Sequence, residues 1–387
     1  MALSMGCHYK VVAFGEIDRR AAEEVVARVV RIRGLAPREP VRFQAVSARA
    51  LRRELEADLS RLKASGQLET WRKAWSRLGL LAADVDLERA YADLYSDEPA
   101  GYYDSETRRM RIVVKDRVRT EVMEVVGLLR RRDPIYGEAL AHETVHALQD
   151  QKWHLTALEH AQQDDERLAR RALVEGDASK VGFAYGALFF SSFESFSEFV
   201  AARIDTVNAG DTTPPWLRDN FQFPYVWGSL FVEKLYARGG WAAVDAAYER
   251  PPRSSEQILH PEKYLGPAPD PPRPVPIELP RPDGWKRIYS TTLGELGTRA
   301  LVGRAAALGW GGDHAEVWED GAGRLALAWA TVWDDEAAAA RFEAAYREHA
   351  GRVSEPFAMV RRGQRLAIVR GVEAAATVEA ALTPPAP

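Results

Sequence analysis

Cysteine is all but missing from this sequence: Cys7 is the only one in 387 residues. A single thiol excludes an internal disulfide framework and a cysteine-rich zinc site, so any metal would have to be held by His, Asp or Glu. Long apolar runs are missing too; none approaches the roughly 20 residues that a membrane-spanning helix requires. There is no surplus of either charge. The 52 Lys and Arg stand against 56 Asp and Glu, a formal net charge of −4, which leaves no electrostatic case for nucleic acid or an anionic membrane as partner. Met1 to Lys10 contain no hydrophobic segment of a signal peptide. The cytoplasm is therefore the default expectation. Met5-Gly6-Cys7 faintly matches a lipidation site, and a chain that had lost an export signal would look the same; an ordinary N-terminus is the simpler reading.

What remains is ordinary globular material, 46% hydrophobic and 28% charged, and long enough for two or three domains with sizeable cores. Within it stands His142-Glu143-Thr144-Val145-His146, which reads His-Glu-x-x-His on a helix. Residues four apart share a helix face, so His142 and His146 can aim their imidazoles at one point. A zinc ion held there would polarise a water, and Glu143 is placed to take that water's proton. Two imidazoles and one carboxylate, with a fourth position open, are the usual protein ligands of such a zinc. The motif asks for a third ligand from elsewhere.

The chain supplies one candidate. Asp164-Asp165 can cap a helix in which Leu168, Ala172, Glu175 and Ser179 share a face. Glu175 thus lies in a small or apolar stripe, where a carboxylate is costly unless paired or metal-bound, and that makes it the natural third ligand. Asp177 is about 200° round the helix from Glu175, so it should orient another part of the site or cap a loop instead. Upstream, Asp133 suits an N-cap and Pro134 the first position of the histidine helix. Before that, residues 101–114 read as a hairpin turning at Asp104 and Ser105, either an ordinary core hairpin or an edge strand open to an extended peptide. The first 98 residues read as a helical flank. A helix falls over Ala21–Val30, a strand over Val41–Val46, a second helix capped by Ser47, and charged helices run on to Leu80 and near Tyr91.

With these residues in place, the chain resembles the gluzincin metallopeptidases, in which a His-Glu-x-x-His helix is joined by a glutamate from a later helix. More narrowly it is similar to a group of bacterial zinc metallopeptidases. The stretches that carry the likeness are His142 to Gln151, Glu175-Gly176-Asp177-Ala178, Gly101-Tyr102-Tyr103-Asp104 and Ser255 to Pro261, within about Leu35 to Leu265. The resemblance implies zinc on His142, His146 and Glu175, and Glu143 as general base. In thermolysin-like gluzincins an aspartate four residues beyond the ligand glutamate holds the first histidine; here Ser179 occupies that position.

Such a hydrolase needs a donor to the oxyanion besides the metal, and His260 or Tyr225 could provide it. The aromatic stretch Phe189 to Phe196 reads as core or as the wall of a substrate gorge. A helix is expected from Phe223 to Gly239-Gly240 and another over Trp241–Tyr248. Residues 266–283 are a proline-dense, semi-rigid linker. Beyond it come a helix over Ser290–Leu301, strands over 315–321 and 325–333, a helix from Glu336 capped by Asp334-Asp335, a hairpin over 357–369, and a last helix over 372–382. The expected fold is α+β: a mainly helical zincin-like catalytic domain over 99–265 with a small edge hairpin, and a C-terminal α+β domain over 284–387 with an antiparallel sheet. Zinc-dependent hydrolysis of a peptide or protein substrate is the expected function, with a possible protein partner for the C-terminal domain. The alternatives are a zinc-stapled binding protein without turnover and a metal hydrolase acting on a non-peptide bond.

Overall fold

The computed structural model describes residues 10–13, 16–94, 100–114, 136–161, 163–187, 213–276, 283–351 and 357–371. The expected Asp133-Pro134 cap, the aromatic stretch 189–196 and the last helix 372–382 lie outside them, as does Cys7.

Two minimal strands, β1 (Val12–Ala13) and β2 (Glu16–Ile17), pair antiparallel and lead into α1 (Arg19–Arg33). Asp18 caps that helix by accepting from the Ala21 amide. Its buried stripe of Ala22, Val25 and Val29 ends in Arg33, which is also buried. Strand β3 (Arg42–Ser47) follows, and Ser47 then caps α2 (Ala48–Ala64) through the Ala50 amide. Next come α3 (Gln67–Leu78) and α4 (Leu87–Leu94). The expected hairpin forms as β4 (Gly101–Asp104) and β5 (Arg109–Val114), its turn held by the Asp104 carboxylate accepting from the amides of Glu106 and Thr107. Strand β3 joins it in parallel, giving the order β3-β5-β4 with β4 at an edge.

The histidine helix is α5 (Gly137–Trp153), followed by the short α6 (Leu155–Glu159) and the long α7 (Asp164–Ala187). Helix α8 (Pro215–Glu249) is one run broken at Gly239 and Gly240, where the backbone leaves helical angles; its second part is the expected Trp241–Tyr248 helix. Two short helices, α9 (Ser255–Leu259) and α10 (Pro261–Leu265), complete the helical part. One core joins α1, β5, α5 and α7 through Val25, Val29, Ile112, Leu140, Val145 and Val181; another joins α7 to α8, α9 and α10 through Leu173, Phe231, Val244, Ile258 and Tyr264.

The C-terminal part begins with β6 (Lys286–Thr291) and α11 (Gly294–Val302). The helix expected over Ser290–Leu301 thus starts later, because Tyr289, Ser290 and Thr291 pair with Val317, Glu316 and Ala315 as a strand. Then follow α12 (Arg304–Ala307), β7 (Trp310–Glu319), β8 (Leu325–Trp333), α13 (Glu336–Ala350), β9 (Phe357–Arg362) and β10 (Arg365–Arg370). Asp335 caps α13 by accepting from the Ala338 amide. The five strands form one antiparallel sheet in the order β6-β7-β8-β10-β9. Trp310, Trp329, Trp333, Phe342 and Tyr346 fill the space between sheet and α13. The fold is α+β, as expected.

The first 98 residues divide between these cores. Helix α1 and β3 serve the histidine helix, whereas Ala74 and Leu78 of α3 pack into the tryptophan core of the C-terminal sheet. The proline-dense segment is pinned along its described part: the Asp270 carbonyl accepts from Gln257, and Arg273 donates its amide to the Gly311 carbonyl. The acidic pair Asp164-Asp165, expected to cap α7, ties its first turn to neighbours instead. Asp164 accepts from the hydroxyls of Tyr289 and Thr291 of β6, and Asp165 accepts from the Ser255 amide of α9.

Candidate metal centre

Helices α5 and α7 lie side by side and bring three atoms together. His142 Nε2 and His146 Nε2 are 3.1 Å apart; Glu175 Oε2 is 3.2 Å from the first and 3.3 Å from the second. Donors bonded to one tetrahedral zinc at about 2.0–2.1 Å stand about 3.3 Å from one another. The triangle has the size of one face of that tetrahedron. Its chemistry fits as well: two imidazoles and a carboxylate are the zinc-type donor set, and no thiolate is needed. The Glu143 carboxylate also comes within 4.8 Å of the two imidazoles. It is held differently, however, accepting the Tyr103 amide of β4 at 2.8 Å. We take Glu175 as the third member of the triangle because its oxygen is near-equidistant from both imidazoles, with Glu143 beside it.

The electrostatics draw positive charge to this point. Burial opposes charge on His146, but Glu175 and then Glu143 outweigh it and push the imidazole up to about 10. Burial likewise opposes charge on Glu175, and His146 and His142 overcome it, holding the carboxyl well below its usual range.

Beside the cluster, α7 crosses α8 at very close range. A Cβ built on Gly176 would lie 2.2 Å from the Gly228 carbonyl oxygen, and one on Gly228 would lie 2.1 Å from that of Ala172. Only glycine permits this approach. The crossing brings Tyr225, one turn before Gly228, to the cluster: its ring stacks obliquely on His142 with centroids 6.4 Å apart. Burial first, then the carboxylates of Glu175 and Glu143, hold its phenol protonated far above the ordinary range.

Of the six residues singled out in the sequence, five meet here: His142, Glu143, His146, Glu175 and Tyr225. His260 is engaged elsewhere. Its Nε2 contacts the buried Glu295 carboxylate at 3.0 Å and Arg299 at 3.2 Å, both on α11. Helix α9, which precedes it, docks at Asp165, ten residues or about 15 Å along α7 from Glu175. Two residues unnoticed in the sequence also belong here. Arg171, a turn before Glu175, has its Nε 3.8 Å from Glu175 Oε1, and its charge pulls the Tyr225 phenol down against burial and the carboxylates. The i, i+4 spacing was the available signal. Glu159 of α6, pushed up by burial, interacts electrostatically with Arg171, Glu175 and His146; no local pattern marked it.

Residues 286–381 match a domain of unknown function, DUF8575. That region holds the five-stranded sheet and leaves α5, α7 and α8 outside it. No curated protein and no solved structure matches the chain. Among the described residues, no helix is long and apolar enough to cross a membrane.

Proposed function

We propose that this chain is a zinc-dependent peptidase of the gluzincin kind, with His142, His146 and Glu175 as the metal ligands. The observation that carries the reading is the triangle of 3.1, 3.2 and 3.3 Å among their ligand atoms. When bound, zinc would supply a Lewis acid that makes a water acidic at neutral pH and withdraws charge from a carbonyl oxygen. Glu143 would take up a proton from a water at the site and return it to the leaving nitrogen. The Tyr103 amide holds its carboxylate in one orientation, so little reorganisation precedes the transfer. Tyr225 remains a neutral phenol at working pH and can donate to the oxyanion, the role sought in His260 or Tyr225.

The substrate is an extended peptide lying along β4. Among the described residues that strand is an edge of its sheet, and the Tyr103 amide points out of the sheet, where it donates to Glu143. Main-chain pairing with such an edge aligns a peptide irrespective of its sequence.

The test begins with metal content. Purified without chelators, the protein should hold about one zinc per chain, and His146→Ala should lose it. Glu143→Gln should keep the zinc and lose peptide cleavage. Wild-type protein free of metal would sink the reading, and retained cleavage in Glu143→Gln would remove the base.

A further inference from the structure

A chain of buried polar groups leads away from His146, and its direction is set at the far end. Arg33 of α1 is 1% exposed and can only donate. Its Nε bonds Asp177 Oδ1 at 2.7 Å and another guanidinium nitrogen bonds Asp245 Oδ1 at 2.6 Å. Lys152 bonds the other oxygen of Asp245 at 2.8 Å, so two cations and two carboxylates balance. Trp241 covers the guanidinium at 4.5 Å and donates its indole N–H to the Ile32 carbonyl.

Asp177 Oδ2 then accepts from the Tyr248 hydroxyl at 2.8 Å and from Gln149 Nε2 at 3.1 Å. The same Gln149 nitrogen faces the Val174 carbonyl at 3.1 Å and the Tyr248 oxygen at 2.7 Å. The Asp177 carboxylate and the Val174 carbonyl admit an NH2 group and reject a carbonyl, so the carboxamide of Gln149 has one orientation. Its Oε1 must therefore face His146 Nδ1, and it does so at 2.9 Å. An acceptor there requires the proton on Nδ1, which leaves the lone pair of Nε2 for a cation.

From this geometry we infer that Gln149 is a positioning residue for the metal ligand His146, and that Asp177, Tyr248 and Arg33 fix it in that role. The inference rests on the zinc reading above. It also divides the labour within Glu175-Gly176-Asp177-Ala178: Glu175 faces the metal, Gly176 permits the helix crossing, and Asp177, on another side of α7, orients the opposing histidine helix.

The test measures zinc affinity of the full chain by chelator competition, together with the visible spectrum of the cobalt(II)-substituted protein. Gln149→Met removes the acceptor at similar size, and thermal unfolding of the metal-free variant checks that the fold is kept. The expected result is a 10- to 100-fold weaker zinc affinity with altered cobalt bands. A loss below tenfold, or cobalt bands identical to those of the wild type, overturns the inference. Should Gln149→Met not fold, Asp177→Asn decides: affinity falls if the relay holds, and unchanged affinity overturns it. Wild-type protein without zinc sinks the zinc reading and this inference together. Zinc held equally well by wild type and Gln149→Met sinks the inference alone.

Discussion

Asp165 offers a test of the seam between the helical part and the C-terminal sheet. It is 3% exposed, and while its Oδ2 accepts the Ser255 amide at 3.0 Å, its Oδ1 finds no hydrogen-bond donor among the described residues. That oxygen lies where a Cβ on Gly294 would be, 1.9 Å from it, and Gly294 has a φ of +68°. Burial pushes the Asp165 carboxyl up to about 7; the Ser255 hydrogen bonds pull it down, and Asp313 and Glu295 push it further up. An unfolded aspartate titrates near 3.9, about three pH units lower, so the folded state binds this proton more tightly. The associated destabilisation is absent below about pH 4, grows as pH rises and is complete above about pH 7, where it reaches about 4 kcal/mol as a ceiling. The positive end of α7 favours the carboxylate by only about 0.3–1 kcal/mol and does not reverse the sign. Asp165→Asn keeps an acceptor for Ser255 and carries no charge. Its stability gain over wild type should grow by about 2–3 kcal/mol between pH 5 and pH 8, because other groups cancel in the comparison. Denaturant unfolding of both proteins at the two pH values measures it. A gain that does not change with pH, or a less stable Asn variant at pH 8, refutes the reasoning.

Tyr225→Phe should lower kcat on the order of 100- to 1,000-fold with zinc content unchanged, if the phenol donates to the oxyanion; steady-state kinetics beside metal analysis reads this. His260→Ala should leave zinc and turnover intact and lower the melting temperature, because it strips a partner from the buried Glu295. Gly176→Ala forces a methyl against the Gly228 carbonyl. It should destabilise by about 1–3 kcal/mol or more and weaken zinc binding together, seen by thermal unfolding and chelator competition.

Much of this was legible because the signals were local. Ser47 before α2, Asp335 before α13 and the turn at Asp104 all act within a few residues of themselves. The three proposed ligands were legible for the same reason, since a spacing of four sets a helix face and a carboxylate in an apolar stripe calls for a partner. What stayed hidden depends on elements meeting through space. Asp177 pointed away from Glu175 by helical geometry, but Val174, Asp177, Ala178 and Val181 are all buried on α7. Packed against α1, α5 and α8, that helix uses several sides of itself, so the direction Asp177 faces was legible and the groups it meets there were not. Arg33 is 144 positions from Asp177, beyond any local pattern. Ser290 and Thr291 fall in the expected helix but form a strand, because the evidence for it lies in their pairing with β7.

The contact between Gly176 and Gly228 places peptide against peptide. Glu175 is one residue from the first glycine and Tyr225 three from the second. The offset between carboxylate and phenol is thus gauged by main chain, which every sequence shares, and hardly by the bulk of neighbouring side chains. A change of apolar side chain elsewhere on the faces of α7 and α8 leaves that backbone contact in place.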